Sequence, residues 1–174
     1  VKSMNNIALS VSSNIKEILE MTFYVKPDVL HLCGEIGSIS DSELVLLRSK
    51  LQSSNSDVKI MQAVSVDNWD AVQLAKQYSG FVDYLILDTS TTEVEGIGAS
   101  GDTHDWDISK SIVDNVDIPV VLAGGLSPEN VAEAINKVNP WAVDSLTHTN
   151  KFLDDGTFIK DLDKVSQFIS NANS

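Results

Sequence analysis

Two glycines and two aspartates are the residues of this chain best placed to handle a charged small molecule. Gly124 and Gly125 stand between a β-branched run, Ile118-Pro119-Val120-Val121-Leu122-Ala123, and a helix start. Ser127 is expected as the N-cap, with Pro128 at the first helical position and Glu129 in the first turn. Val131, Ala134, Ile135 and Val138 then recur at helical spacing. In such a strand–turn–helix unit, backbone N–H groups approach a ligand closely and the helix N-terminus adds partial positive charge. A phosphate can be held that way without a lysine. The same glycines also fit a plain tight turn. Asp88 and Asp144 each fall at the C-terminal end of an expected strand, where a carboxylate either does chemistry or caps a loop. His31 and Cys33 are two apart in a strand and point the same way. They could line a pocket; the alternative for Cys33 is a small core residue.

The elements that must position these groups follow in order. Asn6 to Val11 reads as a strand, and Ile15, Ile18, Leu19 and Thr22 as one face of a helix. Asp28 to Cys33 is a second strand, ended by Gly34, before a helix marked by Leu44, Leu47 and Leu51 and capped near Ser40 or Asp41. Val58 to Val64 is a third strand, followed by a helix capped by Asp67 or Asn68 and carrying Val72, Ala75 and Tyr78. Val82 to Asp88 is the fourth strand, with a long loop from Thr89 to His104 and a short helix near Ile108 and Ile112. The glycine unit comes fifth. Trp141 to Leu146 is a short sixth strand, and Leu162, Val165, Phe168 and Ile169 lie on the last helix.

Six strands alternating with six helices imply a parallel sheet, because each right-handed crossover needs a helix. A doubly wound open sheet usually carries its glycine fingerprint at the first strand, whereas a (β/α)8 barrel places phosphate sites after its last strands. Here the glycine turns come late. The expected fold is therefore α/β of the (β/α)8 TIM-barrel type. A barrel needs roughly 200 residues or more, so the 174 residues present are read as one domain, 1–174, with about six of the eight βα units and the first two lacking. The start at Val1 rather than methionine is read the same way.

Three segments resemble the phosphoribosylanthranilate isomerase family. They are Val82-Asp83-Tyr84-Leu85-Ile86-Leu87-Asp88-Thr89, Gly98-Ala99-Ser100-Gly101-Asp102-Thr103-His104-Asp105-Trp106, and Leu122-Ala123-Gly124-Gly125-Leu126 with Ser127-Pro128-Glu129-Asn130-Val131 and then Pro140 and Val143-Asp144. The resemblance implies an Amadori rearrangement of an aminoaldose phosphate to an aminoketose, in tryptophan biosynthesis. An acid protonates the ring oxygen and opens the sugar, and a base removes the proton from the adjacent carbon, so two groups of different pKa are needed. By resemblance the acid is Asp88, with Asp144 a second catalytic candidate, and Gly101, Gly124, Gly125, Thr147, His148 and Cys33 are candidates for holding the phosphorylated substrate. No cofactor and no metal is implied, and the three histidines and one cysteine lack zinc-site spacing.

The departures from that pattern are specific. The family's base is a cysteine on its first barrel strand, and Cys33 instead stands where the family usually has a histidine. The last phosphate loop, Val143-Asp144-Ser145-Leu146-Thr147-His148-Thr149-Asn150, carries His148 in place of a glycine, although Thr147 and Thr149 could donate hydroxyls. Gln62 replaces a lysine found in many members, and His104 a phenylalanine. The single arginine, Arg48, lies on a helix expected to face away from the strand-end pocket. A carboxylate is best held by a bidentate arginine, so any anion here must rely on main-chain amides.

The formal net charge of −13 argues against nucleic acid or an anionic membrane as partner. One cysteine, no signal peptide and no apolar run of membrane-spanning length fit a cytoplasmic protein. Three functions remain open: the isomerase itself; a diverged relative that keeps the glycine turn but takes another phosphorylated ligand; and an interaction protein whose open sheet edges recruit a partner or a second copy, as in a homodimer.

Overall fold

The computed structural model describes residues 4–35, 37–54, 56–89 and 103–174. Six strands form one sheet: β1 (Ile7–Ser10), β2 (Val29–Leu32), β3 (Lys59–Ser65), β4 (Tyr84–Asp88), β5 (Val120–Leu122) and β6 (Ala142–Val143). Their spatial order is their sequence order, and every neighbouring pair is parallel. The connecting helices are α1 (Ile15–Val25), α2 (Asp41–Ser53), α3 (Asp70–Ser79), α4 (Trp106–Val113) and α5 (Val131–Val138), and α6 (Leu162–Ala172) closes the chain. A doubly wound sheet reverses its strand order at a switch point. This one does not, which selects the barrel-type winding.

Strand alternation sorts the side chains into two clusters. Leu30, Leu32, Ile60, Val64, Leu85, Leu87, Val120 and Leu122 face the helices and pack with Ile18, Leu44, Leu47, Ala75, Ile112 and Val131. The alternate positions Val29, Cys33, Met61, Ala63, Ile86 and Ala123 form a second cluster that includes no helix residue. That second face corresponds to the interior of a barrel. Ile7 and Leu9 share it by register with Val29 and His31, yet are 56% and 59% exposed, because β1 pairs only with β2 among the described residues.

Local chemistry fixes the helix ends. The Asn14 carboxamide oxygen accepts from the N–H groups of Lys16 and Glu17, and Asp161 does the same for Asp163 and Lys164. Ser40 begins α2, with its own N–H donating to Glu43 at 2.8 Å. Asn68 accepts from the Asp70 N–H ahead of α3. At the start of α5 the expectation is displaced. Ser127 Oγ accepts from the Glu129 N–H at 3.2 Å, but residues 128–130 form a turn, and the helix begins at Val131 with Asn130 as its N-cap. The Asn130 side chain is committed to the Ser127 N–H, at 2.8 Å, and to the Gly125 carbonyl, at 3.1 Å. It thus braces the glycine turn rather than extending the helix backwards.

The sixth strand is also shorter than expected. Beyond it come a 3₁₀ turn (Thr147–Thr149) and an antiparallel hairpin, β7 (Asn150–Phe152) and β8 (Phe158–Lys160), that the strand-and-helix reading lacks. Asp155-Gly156 at the hairpin tip, with Gly156 at φ +81° and Phe152 against Phe158, carried that signal.

Candidate active site

The C-terminal ends of β4, β5 and β6 meet over one cleft lined by Asp88, Gly124, Gly125, Leu126, Asp144, Ser145, Leu146, Thr147 and His148. Both aspartates, both glycines of the turn, Thr147 and His148 are thus brought together. Gly101 lies outside the described residues. Cys33 is buried in the inner apolar cluster, 2% exposed, and its thiol donates to the Ser10 carbonyl at 3.5 Å. It sits within electrostatic reach of Asp88 but does not line the cleft. Burial, and then the Asp88 charge, push the thiol up to about 11, so Cys33 carries its proton at neutral pH.

Asp88 is the last residue of β4, paired across the sheet with Ser65. Its carboxylate accepts from the Thr89 N–H at 2.8 Å. Burial raises its pKa to about 6 against the pull of that hydrogen bond, with the neighbouring Asp144 charge adding to the rise. Asp144 follows β6 and extends its ladder, its N–H donating to Leu122 O at 2.9 Å. Burial raises its pKa too, opposed by Lys160 and by the Ser145 N–H. A half-buried carboxyl, Asp88, and a more exposed one, Asp144, therefore share one cleft, and Asp88 holds its proton up to about pH 6. That is the condition for a general acid.

The glycine turn needs both of its glycines. Gly124 and Gly125 have φ of +78° and +62°, in the region that side chains disfavour. At Gly124 a Cβ would also lie 2.8 Å from His104 Nδ1 and from Thr89 Oγ1. His104 is wedged there, its Nε2 paired with Ser109 Oγ at 2.7 Å. Burial holds this imidazole down at about 4, so it is neutral. On the other side, Ser145 Oγ donates to Leu126 O at 2.6 Å, tying the loop after β6 to the loop after β5. The sequence singled out neither His104 nor Ser145 as a brace. Each acts on a residue 19 or 20 positions away, and no local pattern signals that.

Other expectations concern residues outside the cleft lining. Arg48 binds Asp83 at 2.7 Å and the Phe81 carbonyl at 3.0 Å, ahead of β4 and remote from Asp88. His31 is on the inner face, with its imidazole pushed down to about 4 by burial. Its Nε2 is buried without a hydrogen-bond partner among the described residues. Gln62 is spent on the Ala63 carbonyl, at 3.1 Å.

A parallel sheet wound in sequence order, with a glycine turn and carboxyls gathered at its strand ends, defines an α/β protein of the (β/α)8 TIM-barrel type. The family is shown by comparison: residues 7–171 match the family described as N-(5'phosphoribosyl)anthranilate (PRA) isomerase, and the chain belongs to it. The N-(5'-phosphoribosyl)anthranilate isomerase of Methanocella arvoryzae is 37% identical over 128 residues, covering 74% of this chain and 55% of that protein. The crystal structure of phosphoribosyl anthranilate isomerase from Thermotoga maritima superposes with a TM-score of 0.74 at 32% identity, covering 98% of this chain and 73% of that one. A phosphoribosyl anthranilate isomerase in complex with reduced 1-(o-carboxyphenylamino)-1-deoxyribulose 5-phosphate gives 0.70 at 28% identity, covering 98% and 72%. The chain therefore spans little more than half the length of the first of these relatives and nearly three quarters of the other two.

Proposed function

We propose that this protein acts as an N-(5'-phosphoribosyl)anthranilate isomerase of tryptophan biosynthesis, in the cytoplasm. The observation that carries the reading is the Asp88 carboxyl, raised to about 6 beside the Gly124–Gly125 turn in a single strand-end cleft. The substrate's phosphate sits against that turn and the Thr147–His148 segment. Asp88 gives its proton to the furanose ring oxygen as the C1–O bond breaks, leaving an iminium at C1. Loss of the C2 proton to a base gives the enolamine, which tautomerises to the ketose. Asp144 is the second carboxyl in reach of the sugar. Cys33, outside the cleft lining, is not assigned that role.

The test is turnover of phosphoribosylanthranilate by wild type and Asp88→Asn. A loss of about 100-fold or more in rate is expected, the usual scale for a general acid. An unchanged rate would remove Asp88 from the mechanism.

A second reading has its own support. His148 stands in the cleft where the family pattern has a glycine, which suits a diverged relative holding another phosphorylated ligand. A wild type that binds ribose 5-phosphate but never turns over phosphoribosylanthranilate would favour it. As to assembly, β1 presents an unpaired edge among the described residues together with exposed Ile7 and Leu9, which suits a second copy of the chain. Sedimentation of the purified protein distinguishes a dimer from a monomer.

A further inference from the structure

The cleft has a cation behind it. Lys160 ends β8, on the hairpin that follows the 3₁₀ turn. Its Nζ donates to the Leu146 carbonyl and to Thr149 Oγ1, each at 2.9 Å. Thr149 Oγ1 in turn donates back to the carbonyls of Ser145 and Leu146, at 3.1 Å. From α6, Lys164 Nζ reaches the Asn150 carbonyl at 3.0 Å. Two ammonium groups thus hold the carbonyl side of the segment whose other residues, Ser145 to His148, line the cleft. A trans peptide is planar, so turning the Leu146 carbonyl toward Lys160 points the Thr147 N–H the opposite way. The pairing also fixes a positive charge behind the loop of a chain whose net charge is −13.

We propose that Lys160 is a positioning residue for anion binding: from outside the cleft it sets the peptide direction at Leu146–Thr147 through its bonds to the Leu146 carbonyl and Thr149 Oγ1. This rests on the reading of the cleft as a phosphate site. It explains how a loop with His148 in place of a flexible glycine can still present main-chain N–H groups. The anchor is a side chain on a later hairpin rather than a property of the loop.

The titratable groups around Asp144 are Asp88 from β4, Lys160 from β8 and His148 from the 3₁₀ turn, with Glu129 ahead of α5 beside His148 and Lys164. Of these, Lys160 is the one that favours ionised Asp144. Loss of the ammonium therefore moves the Asp144 titration upward, which a purely structural brace would not do.

The experiment titrates the 174-residue protein with ribose 5-phosphate and follows Asp144 by carboxyl-carbon NMR, in wild type, K160M, K160Q and K160R. K160M is expected to weaken binding by about tenfold, the scale of one charge-assisted hydrogen bond, and to raise the pH at which Asp144 titrates. K160Q, which keeps a donor without charge, should reproduce the Asp144 shift, and K160R should restore both readouts. Binding and titration identical in wild type, K160M and K160Q would overturn the role of Lys160. A wild type that binds no ribose 5-phosphate would instead overturn the phosphate reading, and the Asp144 titration would still report on the charge.

Discussion

At the scale of single residues, the cleft sets two carboxyls in different surroundings. Asp88 and Asp144 are chemically identical side chains; burial raises both, Asp88 to about 6, while Lys160 and the Ser145 N–H oppose the rise at Asp144. A general acid acts in its protonated form, so kcat/KM for phosphoribosylanthranilate should fall as pH rises through about 6. Asp88→Asn should lack that descending limb in its residual activity. A limb that persists at the same pH in the variant would assign it to another group. The sequence marked Asp88 correctly as a strand-end carboxylate. It was silent on the proton affinity, because burial and the approach of Asp144 come from strands more than fifty residues apart.

At the scale of elements, the glycine turn is held on both flanks. His104, from the segment before α4, occupies the space a Gly124 side chain would need, and Asn130 pins the Gly125 carbonyl. Gly124→Ala combines a disfavoured φ with a close contact. It should cost about 1–3 kcal/mol in stability, read from urea unfolding. Adding His104→Ala removes the imidazole contact but neither the Thr89 Oγ1 contact nor the backbone strain, so the double variant should lose less than the sum of the two single losses. Strict additivity would mean that the imidazole exerts no constraint on the turn. The strand, the two glycines and the helix were legible from residue type and period. The three-residue delay before α5 was not, because the competing hydrogen bonds of Asn130 exist only once the turn has formed.

At the scale of the whole molecule, acid stability is a contest between buried groups. His31 and His104 titrate near 4 when folded, against an ordinary 6.5. The unfolded chain takes up their protons first as pH falls, so they erode stability between about pH 6.5 and 4. Asp88 has the opposite sign. The folded state holds its proton up to about 6 against an ordinary 3.8, so it contributes stability at low pH that is lost as pH rises through that window. His104→Phe should therefore flatten the acid-side decline between pH 7 and 4.5, and Asp88→Asn should steepen it. Urea midpoints at the two pH values check both signs, and equal slopes in all three proteins would defeat the account.

The alternation of apolar strand and helix patterns and the late glycine turn were enough to specify barrel-type winding and a glycine turn at a strand end, because these depend on neighbours within a few residues. Strand order, the meeting of Asp88 with Asp144, the wedge at Gly124 and the Lys160 anchor depend on pairings between distant segments. Such pairings are settled by which faces bury together and which polar groups then find partners. The hairpin carrying Lys160 shows the boundary. Its Asp155-Gly156 turn could be read locally, but the carbonyls it reaches were fixed only when the chain folded back onto the loop after β6.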